Sequence, residues 1–137
     1  MEMNFENHLS KYLSNEELYS LLKSLNDENK HAVLLNTRKM SVETFKNLFP
    51  NVTPHPIVKN AFLYDKKEYD LGKSIYHLLG CFYLQEPSAM VPAYLLQANE
   101  NDIVLDMCAA PGGKSIQSSF NMNNNGVIIS SNKWKTE

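Results

Sequence analysis

Cysteine is nearly absent: Cys81 and Cys108 are the only two in 137 residues, too few for the disulfide framework that staples small secreted folds. A reducing cytoplasm is the expected setting. Excess charge of one sign is missing too, since 13 Lys and Arg stand against 15 Asp and Glu for a net charge of −2. The chain as a whole therefore makes no electrostatic case for nucleic acid, which asks for a basic stripe. A mild local excess, in which Lys30, Arg38, Lys39, Lys46, Lys59, Lys66, Lys67 and Lys73 face only Glu43, Asp65, Glu68 and Asp70, reads as a solvated surface. No apolar run reaches the ~18 residues of a membrane span. The start, Met1-Glu2-Met3-Asn4-Phe5-Glu6, lacks the positive region and apolar core of a secretory signal. Neither a membrane nor a metal partner is expected.

What is present suits a globular protein: 43% of residues are hydrophobic and 10% aromatic, in a length that fits one domain, or a small domain plus a piece of a second. Phe5, Leu9, Tyr12 and Leu13 lie at helical spacing. Ser14 and Glu17 form a capping box for a second helix whose buried stripe would be Leu18, Leu21, Leu22 and Leu25. The run His31 to Leu35 is short, apolar and flanked by turn-formers, as a strand should be, and Asn36 to Lys39 follow as an exposed turn. Ser41 caps a third helix carrying Val42, Phe45, Leu48 and Phe49, which Pro50 ends. Thr53 to Pro56 is extended or turn-like, and Ala61 to Tyr64 is a further strand.

The second half has another grain. Ile75, Leu78 and Leu79 suggest a brief helix closed by Gly80 at positive φ. Cys81 to Leu84 runs extended, Pro87 opens a helix through Leu96, and Pro92 should bend that helix. Ile103 to Asp106 and Val127 to Ile129 read as parallel strands joined by a helix over Ser115 to Phe120, a βαβ opening, with Asn123 to Asn125 as a turn before Gly126.

The chemistry gathers at Asp106-Met107-Cys108-Ala109-Ala110-Pro111-Gly112-Gly113-Lys114-Ser115, where a strand feeds a small-residue loop and then a helix. Gly112 and Gly113 permit positive φ and close approach to a ligand, and the helix aims its unpaired N–H groups and positive dipole end at the same place. A G-x-x-x-x-G-K-[ST] phosphate loop would need glycine where Cys108 stands, and G-x-G-x-x-G fails because only two adjacent glycines are present. Two readings stay open: a loop with an acid at the strand end, as in methyltransferases that bind S-adenosylmethionine, or an αβ connection without a ligand.

Two segments carry a resemblance. Cys81-Phe82-Tyr83-Leu84-Gln85-Glu86-Pro87-Ser88-Ala89-Met90 and Val104 through Ser115 are similar to the two N-terminal signatures of the Sun/Fmu-type RNA cytosine-5 methyltransferases, nearest to the RsmF-like branch. Leu35-Asn36-Thr37-Arg38-Lys39 resembles a strand-and-turn piece of that family's N-terminal domain, so the likeness covers nearly the whole chain. It implies an α/β fold: a small α+β N-terminal domain over 1–74, helping to position RNA, then a truncated start of a Rossmann-like methyltransferase domain over 75–137. It implies S-adenosylmethionine as cofactor, ribosomal or transfer RNA as partner, and 5-methylcytosine as product. Cofactor-binding positions carried over are Cys108, Ala109, Ala110, Pro111, Gly112, Gly113 and Lys114, with Gln85 to Ser88 packed near the same pocket and Asp106 beneath it. The non-catalytic alternative is an RNA-binding or assembly module built on the first half.

The chain departs from that family in two places. The acid that binds both ribose hydroxyls in an Asn-Glu pair is replaced in Asn132-Lys133, and an ammonium group cannot accept a hydrogen bond. The cysteines that attack cytosine and release product belong to Pro-Cys and Thr-Cys motifs, which this sequence lacks, so no catalytic residue is assigned. Cys108 and Cys81 are expected to be packing residues. With half of the ~1.5–3 kcal/mol per residue lost from Ile103, Val104, Leu105, Val127, Ile128 and Ile129, roughly 5–9 kcal/mol of burial would be missing. The expectation is a truncated or frameshifted product, inactive alone, whose cofactor half is marginally stable.

Overall fold

The computed structural model describes residues 5–26 and 31–132. Met1 to Asn4, Lys30 and Lys133 to Glu137, on which some of the expectations above fall, lie outside them.

Strand β1 (His31–Leu35) organises the first half because both of its faces are covered. It pairs antiparallel with β3 (Ala61–Tyr64) on one side and β4 (Phe82–Gln85) on the other, while β2 (Thr53–Pro54) extends the far edge, giving the order β2-β3-β1-β4. Side chains alternate across a strand, so Val33 and Leu35 face one way and Ala32 and Leu34 the other. Val33 and Leu35 join Phe45, Phe62, Leu71 and Phe82 in one core. Helix α3 (Val42–Leu48) supplies Phe45, fully buried against the rings of Phe49, Phe62 and Phe82, and its N-cap Ser41 accepts from the Thr44 N–H as the sequence predicts. Ala32 and Leu34 instead join Val58, Ala61 and Met90 in a second core, against which Tyr94 and Phe120 pack. The second half of the chain is thus seated on the back of the first sheet.

Helix α4 (Ile75–Leu78) is capped by the Ser74 hydroxyl, and Gly80 follows at φ +69° as expected. The Pro87 segment does not bend at Pro92. Instead a 3-10 turn over Ser88–Met90 runs into α5 (Val91–Leu96), placing Pro92 in the first turn, where a missing N–H costs no helical bond. The βαβ unit follows: β5 (Ile103–Asp106), α6 (Gly113–Asn121) and β6 (Val127–Ser130), with Asp106 opposite Ser130 in a parallel pair. One face of this pair is uncovered, as the burial argument anticipated: Ile103 is 73% exposed and Leu105 59%.

Three local expectations change. Helix α1 (Phe5–Leu9) ends short of Leu13 because Ser14 must be extended to cap α2 (Asn15–Asn26). The capping box forms: the Ser14 N–H donates to Glu17 Oε2 at 2.9 Å and the Glu17 N–H to Ser14 Oγ at 3.3 Å. Yet Leu18, Leu21 and Leu22 are half-buried and Leu25 is exposed, and among the described residues none of the four joins either core. Asn36 is not part of an exposed turn. It is buried, donating from its amide nitrogen to Gly80 O, while Arg38 reaches across to Asn123 O at 2.8 Å.

Candidate functional site

Asp106 staples the loop at both ends. Its Oδ1 accepts from the Cys108 N–H at 3.1 Å and its Oδ2 from the Ser115 hydroxyl at 2.6 Å, so one carboxylate joins the strand's exit to the first turn of α6. The end of β6 closes the same ring: the Ser131 N–H donates to Asp106 O, the Ala109 N–H donates to Ser131 O, and Ser130 Oγ lies 3.1 Å from Ser115 Oγ. The Ala110–Pro111 peptide is cis.

Gly112 then takes φ +103° and caps α6 with no side-chain hydrogen bond. A Cβ added there would meet nothing nearer than Ala109 O at 3.9 Å, so glycine is demanded by the backbone angle and the space above it is open. The first N–H groups of α6 face that space with the positive end of the helix dipole.

Gly113 is needed for a different reason. Its Cα lies flat against the Gln85 carboxamide, and a Cβ would come within 3.0 Å of Gln85 Cδ and Oε1. Gly113, Gln117 and Asn121 are spaced i, i+4, i+8 and share one face of α6. That face docks on the Gln85 to Ala93 segment: Gln117 Nε2 donates to Met90 O at 2.8 Å and Asn121 Nδ2 to Ala93 O at 3.5 Å, while Gln85 Nε2 is held within the segment by Ala89 O at 2.8 Å. The two motifs, Cys81 to Met90 and Val104 to Ser115, are therefore one packed unit.

Two more residues hold the Gln85 side of this seam. Glu86 caps the 3-10 turn, accepting from the Ser88 N–H at 3.1 Å, the Ser88 hydroxyl at 2.5 Å and the Ala89 N–H at 2.9 Å. The Ser88 hydroxyl bond, aided by the backbone bonds, holds its carboxyl below the ordinary value of 4.5. His55 is buried; its Nδ1 accepts from the Ile57 and Val58 N–H groups, which leaves Nε2 to donate to Pro87 O at 3.2 Å. Gln85, Glu86, His55 and Gln117 were not singled out for these roles in the sequence, although the i, i+4 polar stripe of α6 was there to be seen.

Of the positions expected to hold a cofactor, Cys108, Ala110, Pro111 and Lys114 are exposed, and Ala109, Gly112 and Gly113 are half-buried. Cys108 is therefore not a buried packing residue: its N–H is tied to Asp106 on a loop that stands proud of the sheet. Cys81 is buried, as expected. Asn132 is exposed, and Lys133 lies outside the described residues. An open glycine saddle beside a helix N-terminus can offer N–H donors to an anionic group such as a carboxylate, and no carbon projects from Gly112 to block it. Among the described residues no group of His, Cys, Asp and Glu is placed to hold a metal ion, and no helix is long and apolar enough to cross a membrane.

The profile of the N-terminal domain of 16S rRNA methyltransferase RsmF matches residues 1–87. The chain belongs to this family. It is 32% identical over 137 residues to the ribosomal RNA small subunit methyltransferase F of Shewanella frigidimarina, covering 94% of this chain and 28% of that protein. To the enzyme of the same name from Enterobacter sp. strain 638 it is 38% identical over 109 residues, covering 73% of this chain and 23% of that protein. The chain thus spans about a quarter of the length of these relatives. A solved methyltransferase homologue from Pyrococcus horikoshii superposes with a TM-score of 0.75 at 28% identity, covering 86% of this chain and 40% of that one. The RsmF-family match ends at residue 87, beyond β4, and so takes in the Gln85 side of the seam described above.

Proposed function

We propose that this chain carries the cofactor-binding part of a S-adenosylmethionine-dependent RNA cytosine-5 methyltransferase acting on ribosomal RNA in the cytoplasm. The observation that carries the reading is the Gly112 saddle at the head of α6, locked by Asp106 to both strand ends and by Gln85 to the first sheet. When bound, the cofactor supplies an electrophilic sulfonium methyl group. Backbone groups of Cys108 through Gly113 would hold its methionine part and ribose, and the Lys114 ammonium its carboxylate. Gln85 and Glu86 act on the loop by fixing where α6 begins.

Methyl transfer to carbon 5 of cytosine asks for a thiolate that adds to carbon 6. Cys81 is buried in the core beside Phe82, and Cys108 belongs to the cofactor loop, so neither is offered to a base. We assign this chain cofactor binding without turnover, and propose that its two units divide after Gln85, because β4 is hydrogen bonded into the first sheet, instead of at residue 74. Filter retention of methyl-labelled S-adenosylmethionine tests the reading. Retention by the chain, lost in Gly112→Ala, with no label passed to ribosomal RNA, is the expected result; no retention at saturating cofactor contradicts the binding assignment, and label in RNA contradicts the absence of turnover.

A further inference from the structure

Beside the seam, a cleft of about 520 Å³ opens between the first sheet and helices α5 and α6, within the size range of small-ligand sites. Leu34, Val58 and Ala98 give it an apolar floor. Its polar lining is unusual in kind: the carboxamides of Asn60, Gln97, Asn99, Gln117 and Asn121, with no carboxylate among them. Tyr94 adds a half-buried ring and Lys59 a single exposed ammonium.

Gln117 is the informative member. It is 1% exposed, its Nε2 is committed to Met90 O, and its Oε1 has no partner. A buried acceptor left unmet is costly, so the site calls for an N–H donor. With Gln117 Nε2, Asn99 Nδ2 and Asn121 Nδ2 given to Met90 O, Gln97 O and Ala93 O, these carboxamides offer chiefly acceptor oxygens, which suit the N–H groups on the edge of a nucleobase, and an aromatic ring beside them suits base stacking.

We propose that this cleft receives the base of an unpaired RNA nucleotide, with the base N–H groups answering Gln117 and its neighbours, Tyr94 against the ring and Lys59 toward the phosphate. The proposal takes its source of nucleotide from the RNA-methyltransferase reading above, but its site is separate from the cofactor loop. Such a subsite would grip the RNA at a second point, one to two helical turns along α6 from Gly113.

The test is a titration of the ¹⁵N-labelled full chain with each nucleoside 5′-monophosphate and with ribose 5-phosphate, followed by S-adenosylmethionine. Saturable shifts are expected in the side-chain NH₂ signals of Gln117 and Asn121 and the backbone amide of Asn60 with at least one nucleotide, and none with the sugar phosphate. Asn99→Ala and Tyr94→Leu, each folded by the dispersion of the remaining spectrum, should weaken binding by about tenfold, the equivalent of one hydrogen bond or one stacked ring. Three outcomes would overturn the proposal: no nucleotide moves these signals, as when a lone water satisfies Gln117; ribose 5-phosphate moves them equally; or the shifts fall in the Ala109 to Gly113 loop. The cofactor step reads that loop alone, so failure of the methyltransferase reading shows there and leaves the cleft result interpretable.

Discussion

Gly113→Ala separates two opposing effects that the structure lets one weigh. Alanine is the better helix former by up to ~1 kcal/mol in a helix interior, and less in the first turn where Gly113 sits. Against this, the new Cβ would lie 3.0 Å from Gln85 Cδ and Oε1, a few tenths of an ångström too close. Gln85 can swing away only by giving up its 2.8 Å bond to Ala89 O, worth about 1 kcal/mol net, and its carboxamide is already short of one partner at Oε1. The overlap therefore costs ~1–2 kcal/mol and outweighs the propensity gain, leaving Gly113→Ala less stable by about 1 kcal/mol. In a Gln85→Ala background the obstacle is gone, and the same substitution should be neutral or stabilising by up to ~0.5 kcal/mol. Urea unfolding of the four proteins of this cycle measures the coupling, expected at about 1–2 kcal/mol. Additivity within ~0.5 kcal/mol would refute the claim that Gly113 exists to make room for Gln85.

Gly112→Ala meets open space but an angle that side chains avoid, so a loss of about 1–3 kcal/mol and a melting temperature lower by several degrees are expected in calorimetry, with cofactor binding lost. Phe45→Ala removes a fully buried ring from among three other aromatics; a loss of ~3–5 kcal/mol should leave much of the chain unfolded at 37 °C by circular dichroism, and a near-native melt would contradict the assigned core. Glu17 and Glu86 are both held below their ordinary 4.5, chiefly by the hydroxyls of Ser14 and Ser88. A depressed carboxyl contributes stability that is present above its unfolded value and lost as pH falls through the folded one. Melting temperature should therefore fall as pH drops below about 4.5, and fall less steeply in Glu86→Gln; parallel curves would remove Glu86 from the account.

The elements most legible in the sequence were those whose local chemistry and tertiary role agree. His31 to Leu35 is a short apolar run because both faces are buried, and the Ser14–Glu17 and Ser41 caps form because capping is settled within one turn. The βαβ opening was legible for the same reason, its period and its glycines pointing one way. What escaped were bonds made at long range. Nothing local distinguishes an Asn36 that is buried on Gly80 O from one in a solvated turn, or a Gln117 that docks on Met90 from a polar surface residue of a helix. The α2 stripe erred in the opposite sense: amphipathic spacing states that a face can be buried, not how deeply, and among the described residues Leu18, Leu21 and Leu22 are half-buried and Leu25 exposed. In the candidate site, the glycine turn between β5 and α6 was legible in the sequence and the resemblance placed Gln85 to Ser88 near it, whereas the particular contacts of Gln85 with Gly113 and of Glu86 with the 3-10 turn needed the fold.

The most direct test of the central claim is an amide titration of the ¹⁵N-labelled chain with S-adenosylmethionine. The account predicts saturable shifts at Ala109, Ala110, Gly112 and Gly113, with Gly112→Ala silent. If saturating cofactor leaves these four signals where they were, or moves only residues remote from the head of α6, the loop is not the site.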